Sequence, residues 1–514
     1  MPALDELKNK WFLDVGIEDR FPPQTRHPGT QVQPSTDGNT VEALIDGAEV
    51  MKAVHARIQA MLMDPINCAF WLPSWRLDPV RMLGQSRPDT DAEAVILNAA
   101  AQGVKVHYLG SGHVGRNADA QAFANQLLAT SKHGFNATSD KRFPRWGSQH
   151  QKFYVFRGPG TNEWSAIVGS VDLSVPRWDT NDHNDKNDER PPNGGPTHDV
   201  AVRVVGPAVH DIALTFAERW NDAAHRERTS PPIPATATIA TDVLGTPIPS
   251  PPHGTHSIQV LRTYGITRGR GYSWSSTGEF TVWAAYLQAI RGASSCIYIE
   301  DQYFYTFDDP PAIDPSVTQD SELQISDIVF QLGKALERGV DVVVLVPSRS
   351  ADNFATYQLH QRAKAARYLQ DMSEADGGLF VICTLKVGDQ DPIVHSKLMI
   401  VDDELVLVGA ANVCQRSMTH DAEIHLAIVD AANAFARDLR LAMWTEHMEL
   451  GDVSAIDTGD LHAAVLAFRD NAVAANNRLR IAQLDPVTTQ PRPFCHGLIM
   501  NQVIDPYDGP NRSR

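Results

Sequence analysis

Two stretches of this chain carry one pattern. His150-Gln-Lys-Phe-Tyr-Val-Phe and His395-Ser-Lys-Leu-Met-Ile-Val each place a histidine and a lysine two apart, ahead of an apolar run. The repetition continues on both sides. Cys68-Ala-Phe-Trp-Leu and Ile297-Tyr-Ile read as buried strands. Ala92 to Gln102 and Asp327 to Arg338 read as amphipathic helices, each closed by a glycine that leads into a strand (Gly103-Val-Lys-Val, Gly339-Val-Asp-Val). Ile167-Val-Gly-Ser-Val-Asp matches Leu407-Val-Gly-Ala-Ala-Asn, and His198-Asp-Val-Ala-Val matches Ala422-Glu-Ile-His-Leu. Helices carrying Trp220 and Trp444 close the two stretches. Matched positions lie 224 to 245 residues apart, as expected of a duplicated unit with loop insertions.

Strands alternating with helices imply an α/β fold. The expectation is two pseudo-twofold-related halves, each a mixed β-sheet flanked by helices, with one active site at their interface. The expected boundaries are an irregular N-terminal arm over 1–40, a first half over 41–228 and a Pro/Thr-rich linker over 229–257. A second half over 258–450 and a C-terminal helical segment and tail over 451–514 complete the chain. Asp179 to Pro196, dense in Asp, Asn, Gly and Pro, is expected to be a surface loop.

No apolar run reaches the roughly 18 residues a membrane span needs. The opening MPALDELKNKWFLDVG has no basic region followed by an apolar stretch, so no signal peptide is expected. The chain therefore reads as cytoplasmic, or exported by a signal-independent route. Five scattered cysteines (Cys68, Cys296, Cys383, Cys414, Cys495) show no metal-ligand spacing, and most read as small core residues. A net charge of −17 argues against a nucleic-acid partner, because phosphate neutralisation by a basic face supplies most non-specific affinity.

The repeated motif carries chemistry. In a strand, His395 and Lys397 share a face, and so do His150 and Lys152. The following strands end at Gly169-Ser170-Val171-Asp172 and Gly409-Ala410-Ala411-Asn412, where small residues leave room for a ligand. Ser170, Asp172 and Asn412 are accordingly the expected substrate-binding residues. Two imidazoles brought together can divide phosphodiester cleavage between them. One attacks phosphorus, while the other protonates the leaving alkoxide and then activates the second nucleophile. Lys152 and Lys397 would stabilise charge on the equatorial oxygens, so the expected site needs no metal and no cofactor. A lone His-x-Lys is usually a polar sheet edge; its duplication in matched contexts is what gives it weight.

These motifs resemble the phospholipase D superfamily. His395-Ser-Lys397, then Asp402 after four intervening residues, and Gly409 to Asn412 look like its His-x-Lys-x4-Asp signature, with His150-Gln-Lys152 as the partner. Gly169-Ser-Val-Asp-Leu, Arg177-Trp-Asp-Thr, His198-Asp-Val, Ile297-Tyr-Ile-Glu-Asp-Gln-Tyr-Phe304 and Arg416-Ser-Met418 resemble its phospholipase D enzymes proper, including the eukaryotic ones. The region from Thr36-Asp-Gly-Asn more faintly resembles bacterial lipase effectors. The resemblance implies hydrolysis of phospholipids to phosphatidic acid and headgroup alcohol through a phosphohistidine on His150. It also implies transfer to other alcohols, a membrane surface as partner, and one chain sufficing without an oligomer. It further implies that Glu423 orients His150 and Asp199 orients His395, each across the halves. A nuclease or other phosphodiesterase of the same fold is the alternative, and an inactive binding scaffold a second one. The scaffold reading rests on Arg157, which stands where the first signature has Asp; by strand alternation that position faces away from the site. Trp71, Trp75, Trp178 and Tyr303 read as entrance or core aromatics. Asp182, Asp185 and Asp188 read as a solvated loop rather than a calcium site, and His183, His210 and His225 as surface residues.

Overall fold

Segments such as Asp341–Leu345 and Leu405–Gly409 bury every residue, as strands do when helices cover both faces of their sheet. The computed structural model describes residues 3–15, 26, 29–113, 115–144, 146–160, 163–184, 186–224, 226–239, 249, 251, 254–265, 272–305, 327–349, 355–375, 377–474 and 477–483. The described strands are β1 (Thr36–Ile45), β2 (Ala69–Ser74), β3 (Lys105–Ser111), β4 (Ala137–Asp140), β5 (Phe153–Arg157), β6 (Ser165–Gly169), β7 (Thr197–His198), β8 (Val200–Val205) and β9 (Thr229–Ser230). They continue with β10 (His256–Tyr264), β11 (Glu279–Phe280), β12 (Cys296–Asp301), β13 (Asp341–Leu345), β14 (Phe380–Leu385), β15 (Ile393–Val394), β16 (Lys397–Val401), β17 (Leu405–Gly409), β18 (Glu423–Asp430) and β19 (Leu479–Ile481).

Two mixed sheets result, with the same order. The first runs β9-β4-β3-β2-β5-β6-β8-β1. The second runs β19-β14-β13-β12-β16-β17-β18-β10. In each, two parallel pairs lie between an antiparallel edge strand, β9 or β19, and a run of antiparallel strands. The sheets join where the start of β1 pairs antiparallel with β10, Thr36 opposite Ile258 and Asn39 opposite His256.

Strand alternation sorts the core into three layers. Tyr298, Val343 and Leu398 of the second sheet and Phe153, Val155 and Val168 of the first face a shared inner layer containing Trp220 and Trp444. These tryptophans come from helices Ala208–Asn221 and Phe435–Met448. Ile297, Ile299 and Val342 face an outer layer with helices Thr281–Gly292 and Ile328–Glu337. Phe70, Leu72 and Tyr154 face the opposite outer layer with helices Gly47–Met61 and Ala92–Gln102.

Several expectations need correction. The N-terminal arm is not irregular throughout: Leu4–Trp11 is a helix, and Leu7 and Trp11, four apart on one face, are buried against the second half. The first sheet begins at Thr36, inside the assigned arm. Linker residues Thr229 and Ser230 pair with β4, and Ile233 and Ile239 are buried. The second sheet extends beyond 450, since β19 pairs with β14 and helix Leu461–Val473 packs into the inner layer. The loop from Asp179 to Pro196 is anchored inside the protein: Asp179 and His183 are fully buried and joined to each other at 2.9 Å. Its polarity is satisfied by partners rather than by water. His183 is thus no surface residue, His210 is half-buried, and His225, Asp185, Cys495 and the tail beyond 483 lie outside the described residues. The four described cysteines form no disulfide among the described residues and are buried. No described helix is long and apolar enough to cross a membrane.

A buried ionic cluster ties the halves together. Asp140 receives Arg142 Nε at 3.0 Å and Arg219 Nε at 2.8 Å, all with no side-chain exposure. The Arg219 guanidinium lies 4.9 Å over the ring of Tyr272 in the second half, whose hydroxyl donates to Arg142 O at 3.3 Å. Burial alone would raise the Asp140 carboxyl, but the two guanidiniums outweigh it and hold the group well below its usual range. Removing one partner of a buried pair costs about 3–5 kcal/mol, because the remaining charge stays desolvated. Asp140→Asn is therefore expected to destabilise the protein by about that amount, read as a shift of the urea midpoint at unchanged slope.

Candidate active site

The two His-x-Lys motifs meet because each crosses into the other half before its strand begins. His150 and Lys152 stand ahead of β5, and His395 ahead of β16, not within those strands as expected. The reason lies in their backbone partners. His150 N–H donates to Ala422 O at 3.0 Å, and His395 N–H to His198 O at 2.8 Å. Gln149 bridges to Ala422, while Ile393 and Val394 pair in parallel with Thr197 and His198. Each histidine thus docks on the residue just before the other half's carboxylate.

The side chains repeat the exchange. His150 Nδ1 lies 2.9 Å from Glu423 Oε1, and His395 Nδ1 lies 2.7 Å from Asp199 Oδ1. With Nδ1 engaged by a carboxylate, Nε2 of each ring is the nitrogen left for a reacting group. Burial and the neighbouring Lys152 ammonium hold His150 well below its usual value. Burial, Arg177, Lys397, Lys152 and His150 do the same for His395. Each histidine therefore feels cations of both motifs. Burial, then the adjacent Asp421, pushes the Glu423 carboxyl up to about 8.

The lysines are braced by their own backbones. Lys152 Nζ donates to His150 O at 2.9 Å, and Lys397 Nζ donates to His395 O. Lys152 Nζ also lies 3.4 Å from Asp172 Oδ2. The equivalent carboxylate for Lys397 comes from elsewhere. Asn412 stands where Asp172 does, and Asp301, opposite Lys397 in the β12–β16 register, supplies the charge. Asp301 also accepts the N–H groups of Tyr303, Phe304 and Val413 at 2.7–2.8 Å. Sequence reasoning missed Asp301; its position opposite Lys397 would have signalled it only once the pairing register was known.

Two expected substrate contacts are committed elsewhere. Ser170 Oγ donates to Asp199 Oδ1 at 2.6 Å and accepts the Val200 N–H at 3.0 Å, so it fixes the carboxylate. Asp172 accepts Ser74 Oγ and the N–H groups of Trp75 and Arg76 at 3.1–3.2 Å, fixing the loop after β2. Asn412 keeps a buried amide oxygen with no hydrogen-bond partner, so of the three it retains capacity for a ligand. The small residues at the strand ends do not open space either. A Cβ on Gly169 would lie 2.4 Å from Ala201 Cα, and one on Gly409 would lie 2.2 Å from Ile424 O. Glycine there admits the backbones of β8 and β18, which carry Asp199 and Glu423 into place.

Further groups join the site. Arg177 NH1 is 3.6 Å from Asp199 Oδ2 and has no hydrogen bond. Arg416 pairs with Asp421 at 2.8 Å. Trp75 is half-buried, its ring 6.2 Å from His150, with Arg116 stacked 5.0 Å over it. Trp71 and Trp178 belong to the core. Asp402 caps the turn before β12, accepting N–H groups of Ser294, Ser295 and Cys296 at 2.8–3.0 Å.

Comparison with known proteins decides the family. A family described as "Cardiolipin synthase, PLD-like domain" matches residues 286–444, which include His395 and Lys397. One described as "Phospholipase D" matches residues 184–309; His150 and Lys152 precede both matches. The chain belongs to the phospholipase D superfamily. Phospholipase D alpha 1 of Carica papaya is 26% identical over 412 residues, covering 59% of this chain and 49% of that protein. Its counterpart in Arabidopsis thaliana is 24% identical over 413 residues, covering 61% and 50%. The chain spans about half the length of these curated relatives. The crystal structure of phosphatidylserine synthase from Haemophilus influenzae Rd KW20 shares the fold, with a TM-score of 0.51 at 13% identity over 83% of this chain and 91% of that one.

Within this superfamily signature, Arg157 replaces the aspartate that Asp402 represents. Its guanidinium lies 5.0 Å over the ring of Trp164, away from the histidines. Arg157→Asp is expected to leave phosphodiesterase turnover within about tenfold of the parent chain, since the side chain touches no group that orients the imidazoles. A complete loss, measured on a soluble phosphodiester, would contradict that placement.

Proposed function

We propose that this chain is a phospholipase D that cleaves phospholipid phosphodiesters to phosphatidic acid and a headgroup alcohol through a phosphohistidine. The observation that carries the reading is the reciprocal pairing of His150 with Glu423 and of His395 with Asp199, which leaves the Nε2 atom of each ring for a reacting group. His150 Nε2 attacks phosphorus and forms a P–N bond as the P–O bond to the headgroup breaks. His395, neutral in the free site, takes up a proton at Nε2 once the anionic phosphodiester offsets the surrounding cations, and with Asp199 behind it gives that proton to the departing alkoxide. Neutral His395 then takes a proton from water, whose oxygen displaces the histidine and regenerates both rings. Lys152 and Lys397 hold the non-bridging oxygens; Asn412 joins them only through its Nδ2 N–H groups, since its unpartnered Oδ1 is an acceptor. The two lysines supply positive charge without a cofactor in the step. The names of the curated relatives and the acidic net charge favour a lipid over a polynucleotide, and a membrane surface is the partner this reading requires.

A covalent intermediate lets the first alcohol leave before the acceptor arrives, so the second step does not demand water. Phosphatidylcholine cleaved in the presence of ethanol should yield phosphatidylethanol, and a chiral phosphorothioate should react with retention after two in-line displacements. Inversion would sink the covalent mechanism. His150→Ala and His395→Ala should each lower turnover by on the order of 10²–10⁴-fold or more. Acid-labile phosphate trapped on His395 alone would reverse the two roles.

Lys397 contributes to the alkaline limb, beside the loss of the His395 proton. Burial pushes its ammonium down to about 7, against the opposing pull of Asp301 and Asp199. The charged form is lost as pH rises through that value, so kcat/KM, which reports the free enzyme, should fall on the alkaline side. A bound phosphodiester restores charge balance and should move the same limb of kcat upward. Lys397→Arg, charged throughout, should flatten the fall; an unchanged profile would assign it to another group.

A further inference from the structure

Behind Asp199 lies a cluster of histidines and carboxylates that the proposed reaction does not use. Asp46, in the turn after β1, His183, in the anchored loop, and His198, at the end of β7, come from the first half; Glu446 comes from helix Phe435–Met448 in the second. One donor atom from each lies within 4.8 Å of the others. His198 Nδ1 is 3.1 Å from Asp46 Oδ1 and 3.1 Å from Glu446 Oε1, and His183 Nε2 is 3.2 Å from Glu446 Oε1. We propose that these four residues form a closed site for one divalent cation, zinc by its donor set, that joins the halves and holds Asp199 in position.

Four features support the site. A tetrahedral zinc with bonds of about 2.0–2.1 Å separates its ligands by roughly 3.3–3.4 Å; three of the ligand pairs here lie at 3.1–3.2 Å and the rest within 4.8 Å. Both imidazoles hold their other nitrogen on a carboxylate, as metal-bound histidines do: His183 Nδ1 lies 2.9 Å from Asp179 Oδ2, and His198 Nε2 lies 3.1 Å from Glu300 Oε2. Hydrogen bonding leaves the interior unsatisfied: His198 Nδ1, although 3.1 Å from two carboxylates, makes no well-aligned hydrogen bond, and neither does the buried Asp46 Oδ2. The charges also match. Asp179 is neutralised by Arg190, and Glu300 is held by His447 at 2.8 Å and by the Tyr298 hydroxyl. Asp46 and Glu446 then balance a divalent ion between neutral imidazoles.

The site's place in the fold defines its role. The Asp46 N–H donates to Asp199 O at 2.8 Å, and the Asp199 N–H reaches Asp46 Oδ1 at 3.3 Å. Asp199 follows the ligand His198 directly and accepts His395 Nδ1 at 2.7 Å. The ligands are buried or nearly so, which suits a structural ion with no open position. The cation would act on His395 only through Asp199, so these are positioning residues.

Metal analysis of the full chain, purified without chelator, should find about one zinc per chain. Unfolding in chelator and refolding with cobalt(II) should give the visible bands of a four-coordinate ion. His183→Ala and Glu446→Gln should abolish binding, and Asp179→Asn should weaken it about 10–100-fold. His395→Ala should retain the metal whether or not the proposed reaction is correct, so the two readings fail separately. Should the ligand variants not fold, the parent chain decides: refolding free of metal and taking up neither zinc nor cobalt in equilibrium dialysis overturns the site. Full metal content in folded His183→Ala or Glu446→Gln overturns it as well.

Discussion

Everything at the candidate active site depends on one exchange between the halves. Each histidine gives its backbone N–H to a carbonyl of the opposite half and its ring nitrogen to the carboxylate of the following residue there. Two hydrogen bonds from adjacent groups fix both the position of the Cα and the rotation of the ring. Because the carboxylates are buried, leaving either imidazole unpaired would cost more than an ordinary hydrogen bond returns. Neither half can therefore complete its own site. A pseudo-twofold fold of this kind makes one cleft from two motifs, and duplication is a structural requirement rather than a spare copy.

The same twofold is broken where the lysines need support. In the first half the carboxylate beside the lysine is Asp172, after β6, and Ser74 at the end of β2 bonds to it. In the second half the charge sits on Asp301 at the end of β12, and Asn412 occupies the position after β17. One acid per lysine is preserved while its strand of origin is exchanged. The consequence is chemical asymmetry. The second half offers an uncommitted amide oxygen at Asn412, whereas the first half is closed by Asp172 and its three donors. Two imidazoles in unlike surroundings can take unlike parts in a reaction, as a nucleophile and an acid must.

The sequence made the strand and helix order legible because the repeat could be read against itself. Helix Ala92–Gln102 falls where its apolar spacing and terminal glycine place it, and Asp327, opening the matched segment, caps its helix by accepting the Phe330 N–H at 3.0 Å. The residues around the motifs were readable for the same reason. What escaped was everything decided by contacts between distant segments. Ser170 looked like a ligand contact because a hydroxyl after a glycine is suited to one, and its bond to Asp199 depends on the β6–β8 pairing. His183 sits in a run of Asp and Asn that composition assigns to solvent. Its burial depends on Glu446, 263 positions away, and on an arginine that neutralises Asp179. The helix at Leu4–Trp11 carries an apolar face, yet it is too short to stand alone; the second half's core is what orders it.

The charge distribution resolves an apparent conflict in the site. A chain of net charge −17 is a poor surface for any polyanion, which must lie along many surface charges at once. Surface fields decay over a Debye length of about 8 Å at physiological ionic strength. A single phosphodiester entering the cleft therefore responds mainly to what lines it. There Lys152, Lys397 and Arg177 converge on the buried His395, in a setting where water screens them least. A lipid presents one phosphate at the end of an otherwise separate body, so it can meet that local positive field without spreading along the acidic exterior. A polynucleotide brings its other phosphates with it. Under the proposed function, local cationic focus inside a globally acidic protein would favour isolated phosphodiesters, with the half-buried Trp75 beside His150 as an apolar edge for such a substrate.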